Sequence, residues 1–258
     1  MTTRLVQISM KAGDNSALGR FWADALGWEI TGDKGPETNV EQPGSTYPDP
    51  AALCIDVIGS PDAGADPRPV PAPAPKTAKN RVHVDLATTS AAHRAELVAR
   101  LTALGASPAD VGQGDGVPWT VLADPEGNEF CVLEPRDVYR DTGVMAAVVV
   151  DCLDPRAMAR FWGEATDWTV HEVTDERAAL RSATGVGPYL EFLRTSEPKR
   201  GLDRIHLDLR PYPGGDRRAE ADRLRGLGAT DLDIGQGDAP WTVLADPEGN
   251  EFCILSPH

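Results

Sequence analysis

Cysteine is scarce in this 258-residue chain: Cys54, Cys131, Cys152 and Cys253 are the whole complement, and no Cys-x-x-Cys pair occurs. The spacing argues against a zinc ribbon, and so low a count gives no reason to expect a disulfide scaffold. Long apolar runs are missing too. None approaches the roughly 20 residues a membrane span needs, and the opening Met1-Thr-Thr-Arg4 lacks the apolar stretch of a signal peptide. A cytoplasmic protein with no membrane partner is the expectation. Basic residues are outnumbered, 25 Lys and Arg against 40 Asp and Glu, for a formal net charge of −15. An acidic surface repels phosphate backbones, and no basic stripe with interleaved aromatics offsets it, so no nucleic-acid partner is expected. Gly112-Gln-Gly-Asp115 lacks the Lys-Ser/Thr and the following helix of a phosphate loop.

What is present is a soluble, globular composition, 41% apolar and 25% charged, in a chain long enough for one large domain or two ordinary ones. Its organising feature is a repeat. Trp119-Thr-Val-Leu-Ala-Asp-Pro-Glu-Gly-Asn-Glu-Phe-Cys131 recurs unchanged as Trp241 to Cys253. Each copy reads as a hairpin whose strands flank Asp-Pro-Glu-Gly-Asn: proline presets the first corner, and Gly127 with Asn128 tolerates left-handed backbone.

Earlier segments repeat as well. Leu5 to Met10 reads as a strand, followed by a helix capped at Asn15 or Ser16, carrying Leu18, Phe21, Trp22, Ala25 and Leu26, and ended by Gly27. Arg20-Phe-Trp22 is answered by Arg160-Phe-Trp162, and Ala52 to Asp56 by Tyr189 to Leu193. Val82-His-Val-Asp-Leu86 is answered by Ile205-His-Leu-Asp-Leu209. In Arg81 to Leu86 the period of two predicts a half-buried strand, with Arg81, His83 and Asp85 on one face. Ser90 caps a helix carrying Leu97, Val98, Leu101 and Leu104. The offset between counterparts falls from 140 at Trp22 and Trp162 to 123 at His83 and His206, so the Pro-rich stretch 59–80 is an insertion in the first half, read as an extended linker. Two homologous domains follow, 1–137 and 143–258, each with two strand–helix–strand modules.

These motifs together resemble the vicinal oxygen chelate superfamily, in particular its glyoxalase-like group related to glyoxalase I and bleomycin-resistance proteins. The resemblance covers nearly the whole chain, twice. It implies an α+β fold of tandem paired βαβββ modules whose curved sheets enclose a cleft. The tandem domains would make a pseudo-dimeric monomer, or a homodimer. Metal-binding relatives hold one divalent ion (Zn, Ni, Mn or Fe) on the first and last strands of each module. By that pattern domain one would offer Gln7, Cys54 or Asp56, His83 and Cys131, with the second module's ligand position nearer Arg81. Domain two would offer Glu191, His206 and Cys253, with Ala147 in place of Gln7. Cysteine stands in both halves where such relatives carry Glu, so no metal cofactor is favoured.

Two readings result. In the first, aromatics and polar groups of the cleft bind a small molecule, an antibiotic or secondary metabolite held without chemistry. Its candidates are Arg81, His83, Asp85, Trp119 and Cys131, with Arg204, His206, Asp208, Trp241 and Cys253. In the second, one domain is a metal-dependent lyase, isomerase or dioxygenase using Gln7, Asp56 and His83. The blander roles stay open: the histidines hydrogen-bonding Asp85 and Asp208, the cysteines as small buried hydrophobes, Trp22 and Trp162 as packing.

Overall fold

The structure is a computed structural model, describing residues 3–49, 52–59, 76, 78–114 and 116–257. Most of the Pro-rich insertion, and Asp115, lie outside the described residues. Four modules follow one another. The first is β1 (Thr3–Ala12), α1 (Asn15–Leu26), β2 (Glu29–Lys34), β3 (Glu37–Glu41) and β4 (Cys54–Gly59). The second is β5 (Val82–Leu86), α2 (Ala91–Ala103), β6 (Ser107–Pro108), β7 (Trp119–Ala123) and β8 (Glu129–Leu133). A short 3-10 turn, Asp137–Tyr139, leads to the third: β9 (Met145–Cys152), α3 (Pro155–Ala165), β10 (Trp168–Val173), β11 (Arg177–Ser182) and β12 (Tyr189–Arg194). The fourth is β13 (Ile205–Pro211), α4 (Arg217–Gly226), β14 (Thr230–Asp231), β15 (Thr242–Ala245) and β16 (Glu251–Ile254).

The helix ends follow their chemistry. Asp14 caps α1, its carboxylate accepting from Ala17 N at 2.9 Å, rather than the expected Asn15 or Ser16. Those two side chains turn instead to Thr38 and Asp33 of the neighbouring hairpin. Gly27 closes α1 in the left-handed region, and Ser90 caps α2. In the repeated hairpin, Asp124 Oδ1 accepts from the backbone of Glu126 and Asn128, and Gly127 alone takes positive φ.

The sheets do not coincide with the sequence halves. One has the order β14-β15-β16-β13-β1-β4-β3-β2, the other β10-β11-β12-β9-β5-β8-β7-β6. The first therefore joins module one to module four through antiparallel β1 and β13, and the second joins module two to module three through β5 and β9. Along β1, Ile8 and Met10 enter the main apolar core, while Gln7, Ser9 and Lys11 face the other way. That core takes residues from both sheets: Phe21 and Trp22 of α1 pack on Phe130 of β8, and Phe161 and Trp162 of α3 on Phe252 of β16. Trp22 Nε1 also donates to Asp124 Oδ2 at 3.2 Å, and Trp162 Nε1 to Asp246 Oδ2 at 3.4 Å, tying each helix to a hairpin of the opposite sheet. Both tryptophans are packing residues. β5 is buried along its whole length, not half-buried, because its second face also lies under a covered cleft.

Candidate functional site

Each sheet bends around one cleft on the face away from the core, and the strand registers set what lies there. In the first sheet Gln7 pairs with both Cys54 and Asp208, and Asp208 pairs with Cys253. In the second, Ala147 pairs with Tyr189 and Asp85, and Asp85 with Cys131. Two expectations are thereby corrected. The candidate sets do not gather within one sequence half: Gln7, Cys54 and Asp56 meet His206, Asp208 and Cys253, whereas His83, Asp85 and Cys131 meet Ala147 and Glu191. On the second module's first strand it is Asp85, not Arg81, that comes level with Ala147 and Cys131. Arg81 lies at the strand's outer end and binds Glu197 O and the Glu248 carboxylate; Arg204 reaches Glu126. These arginines join hairpin turns of one sheet to strand ends of the other, so neither serves as a cleft group.

The first cleft is open. It has a volume of about 440 Å³ and is lined by Gln7, Tyr47, Asp56, His206, Arg210, Trp241 and Cys253, among others. Its floor is a buried polar network around Asp208. Gln7 Nε2 donates to Asp208 Oδ2 at 2.8 Å and to Asp56 Oδ2 at 3.2 Å, and Ser9 donates to Asp208 Oδ2 at 2.7 Å. Gln7 Oε1 accepts from the Tyr47 hydroxyl at 2.6 Å; that oxygen in turn accepts from Arg210 Nη2 at 2.8 Å. Asn39 donates to the other oxygen of Asp56 at 2.9 Å. The amide is thus fixed at both ends, and its nitrogen bridges the two carboxylates. Asp208 Oδ1, although buried, has no hydrogen-bond partner among the described residues.

That unsatisfied oxygen faces His206 Nε2 at 3.3 Å, and Cys253 Sγ lies 3.5 Å from the same nitrogen. The three donor atoms are mutually within 4.8 Å. Edges of 3.3 and 3.5 Å suit a tetrahedral ion with bonds of about 2.0–2.3 Å to nitrogen, oxygen and sulfur, so this trio fits a divalent metal of zinc type. Burial, reinforced by Asp208, holds the Cys253 thiol well above its ordinary pKa. A shift in that direction argues against a free nucleophilic thiolate. Burial, with the charge of Asp56 second, acts likewise on Cys54.

The second cleft is filled. The 3-10 turn between the halves lays Tyr139 into it, where the ring packs on Leu133, Ala147, Val149, Ala179 and Tyr189. Its hydroxyl donates to Glu191 Oε1 at 2.8 Å, and Arg177 grips both oxygens of Glu191 at 2.7 and 3.2 Å. Trp119 packs against this plug, whereas Trp241 lines the open cleft. Beneath it His83, Asp85 and Cys131 repeat the donor trio, with His83 Nε2 3.6 Å from Asp85 Oδ1 and beyond hydrogen-bond reach. Burial lowers His83 to a pKa of about 4 and raises Asp85 to about 7, Glu191 adding to the latter. Glu191, expected as a metal ligand, is committed to Arg177 and Tyr139. Sequence reasoning missed Tyr47, Asn39, Arg210 and Tyr139, which lie outside the repeated motifs; only the pseudo-symmetric substitution of Gln7 by Ala147 hinted that the two clefts differ.

Comparison with known proteins agrees with this architecture. A glyoxalase-like domain model matches residues 7–133 and again residues 147–255. The structure of glyoxalase I from Zea mays is similar, with a TM-score of 0.60 at 14% identity over 99% of this chain and 92% of that one. A putative dioxygenase from Bacillus subtilis gives 0.59 at 14% identity, covering 99% and 85%. At such identities the likeness is one of fold. No curated protein is similar enough in sequence to match. No helix among the described residues is long and apolar enough to cross a membrane. Matched in both halves over most of its length, the chain belongs to the glyoxalase-like domain family.

Proposed function

We propose that this chain binds one small organic molecule, in the cleft shared by modules one and four, and holds it without transforming it, as a sequestering protein for an antibiotic or secondary metabolite would. The carrying observation is the asymmetry of the clefts. One keeps a cavity of about 440 Å³ over a fixed polar floor with Trp241 at its wall, while the other is occupied by the protein's own Tyr139. The volume falls in the range of small-ligand pockets, and an apolar wall with a few oriented polar groups is what such a pocket needs. Titrating the protein with a panel of small aromatic metabolites and antibiotics, followed by Trp241 fluorescence and Tm, tests this. A ligand recovered unaltered after incubation supports sequestration; its conversion to product would refute it.

The trio His206, Asp208 and Cys253 favours a second reading. Those residues would hold a divalent ion, which when bound supplies Lewis-acid polarisation of ligand oxygens. The closeness of the three donor atoms lends the reading weight. In either case the chain's own groups have the same tasks. Gln7 and Ser9 orient Asp208, and Tyr47 with Arg210 presents hydrogen-bonding atoms at the cavity side. Elemental analysis of protein purified without chelator separates the two: a stoichiometric metal, lost in His206→Ala, supports the second.

A further inference from the structure

A lysine also sets the two clefts apart. Register pairs Lys11 of β1 with Ile58, and Asp151 of β9 with Leu193, so Lys11 and Asp151 hold equivalent places. Both sheets keep a lysine on the glutamate that opens their last strand, Lys76 on Glu129 and Lys199 on Glu251. The second sheet adds Lys79, which pairs with Asp151. In the first sheet the charge at that place is reversed. Lys11 stands where Asp151 would, and the segment equivalent to Lys79 supplies Leu202 instead.

Lys11 is 7% exposed and lines the open cleft together with Trp241. Its Nζ donates to the backbone oxygen of Asp203 at 3.0 Å and forms no ion pair with a carboxylate of the described residues. The carboxylates of Asp203 and Glu251 are held by Lys199, at 2.7 and 2.8 Å. A buried ammonium without a paired carboxylate is costly. Burial accordingly lowers the pKa of Lys11; Glu251, Asp203 and Cys253 oppose that shift, and Lys199 adds to it. A desolvated amine at a cavity wall is the arrangement in which lysine acts as a nucleophile toward carbonyl carbon.

We propose that Lys11 captures an aromatic aldehyde in the open cleft as a reversible imine, with the ring toward Trp241. The proposal rests on the small-molecule reading above and adds the class of the ligand and the bond that holds it. The lone pair of Nζ attacks the carbonyl carbon and a proton passes from nitrogen to oxygen, giving a carbinolamine. Loss of that oxygen as water then leaves a carbon–nitrogen double bond. One C–N bond forms, the C–O bond breaks, and no oxidant or reductant takes part. Hydrolysis returns the aldehyde unchanged, so capture of this kind is still sequestration.

Reductive trapping tests it. The full chain is incubated at neutral pH with 4-hydroxybenzaldehyde and cyanoborohydride, which fixes an imine as a secondary amine, and the labelled peptides are mapped by mass spectrometry. Lys11 is expected to be labelled several-fold faster than any other amine of the chain, the N-terminus included. An excess of 4-hydroxybenzyl alcohol, the same ring without the carbonyl, should slow that labelling alone. Lys11→Met and Lys11→Arg, the second keeping the cation, should each lose the label at this peptide and leave the others as they were. Labelling of Lys11 no faster than that of the other amines, or untouched by the alcohol, would overturn the proposal. So would no label at Lys11. Calorimetric titration with the same two compounds then separates the readings: binding of aldehyde and alcohol alike without a label leaves a small-molecule cleft standing, and where neither binds the broader ligand panel decides that reading.

Discussion

Tyr139 is the residue whose removal should most clearly separate the two clefts. It is 4% exposed, its ring meets Tyr189 edge-on at 5.9 Å between centroids, and its hydroxyl donates to the buried carboxylate of Glu191. Tyr139→Phe deletes only the hydroxyl. A hydrogen bond to a charged group is worth about 1.5–3 kcal/mol, but Arg177 still holds both oxygens of Glu191, so a loss of about 1–2 kcal/mol is expected. For a chain of this length that lowers Tm by about 2–8 °C. Tyr139→Ala also removes the ring, at a cost of about 3–5 kcal/mol, since the walls of β9, β11 and β12 cannot collapse across a sheet. It leaves a phenol-shaped hole over Glu191. Added phenol should refill that hole and raise the Tm of Tyr139→Ala more than that of the wild type, because a ligand specific to the folded state stabilises by mass action. Calorimetric melts with and without phenol are the assay. An alanine variant that melts within a degree of wild type, or one that phenol stabilises no more than wild type, would refute the claim that Tyr139 fills a preformed cleft.

Other perturbations test the remaining parts of the site. Arg177→Met strands the 2%-exposed carboxylate of Glu191 and should cost about 3 kcal/mol or more by urea denaturation. Asp203 is raised in pKa by burial and by Glu251 beside it, with Lys199 the cation shared between them. A raised carboxylate stabilises the fold below the usual carboxylate range and loses that contribution as pH climbs through its folded pKa, so Asp203→Asn should gain stability relative to wild type at pH 8 compared with pH 4. A difference in Tm that does not change with pH would contradict that sign. If the trio of the open cleft binds zinc, Cys253→Ser and His206→Ala should each lower the bound metal measured by elemental analysis, while Cys131→Ser under the plug should not.

Much of the fold was legible because it is written in short-range chemistry repeated along the chain. Period-two strands, Phe-Trp helices and the Asp-Pro-Glu-Gly-Asn turns each specify a local element, and their recurrence specifies four modules. Which modules join is not local. β1 reaches β13 across some two hundred residues, and nothing in either strand's alternation distinguishes β13 from β5 as its neighbour. Sequence alone therefore groups Gln7 and Asp56 with His83 and Cys131, whereas the strand order places them with His206, Asp208 and Cys253. The arginines failed for another reason: they share strand parity with His83 and His206, but a strand end lets a long side chain leave the face its parity assigns and reach the acidic turn of the facing sheet.

The cross-pairing also bears on why one chain carries two unequal clefts. If each sequence half had formed its own cleft, the substitutions of Gln7 by Ala147 and of Cys54 by Tyr189 would have weakened each cleft differently, one module at a time. Because modules one and four share a sheet, the polar first-module positions fall together with the His-Asp-Cys strand pair of module four. The apolar third-module positions fall with the equivalent pair of module two. Polar and apolar lining are thereby sorted into separate cavities. An Ala147 and Tyr189 wall would leave a wet hole over buried Asp85 and Glu191, and Tyr139 with Arg177 removes that penalty by supplying a ring, a hydroxyl and a cation from the chain itself. The plug is then a consequence of the sorting.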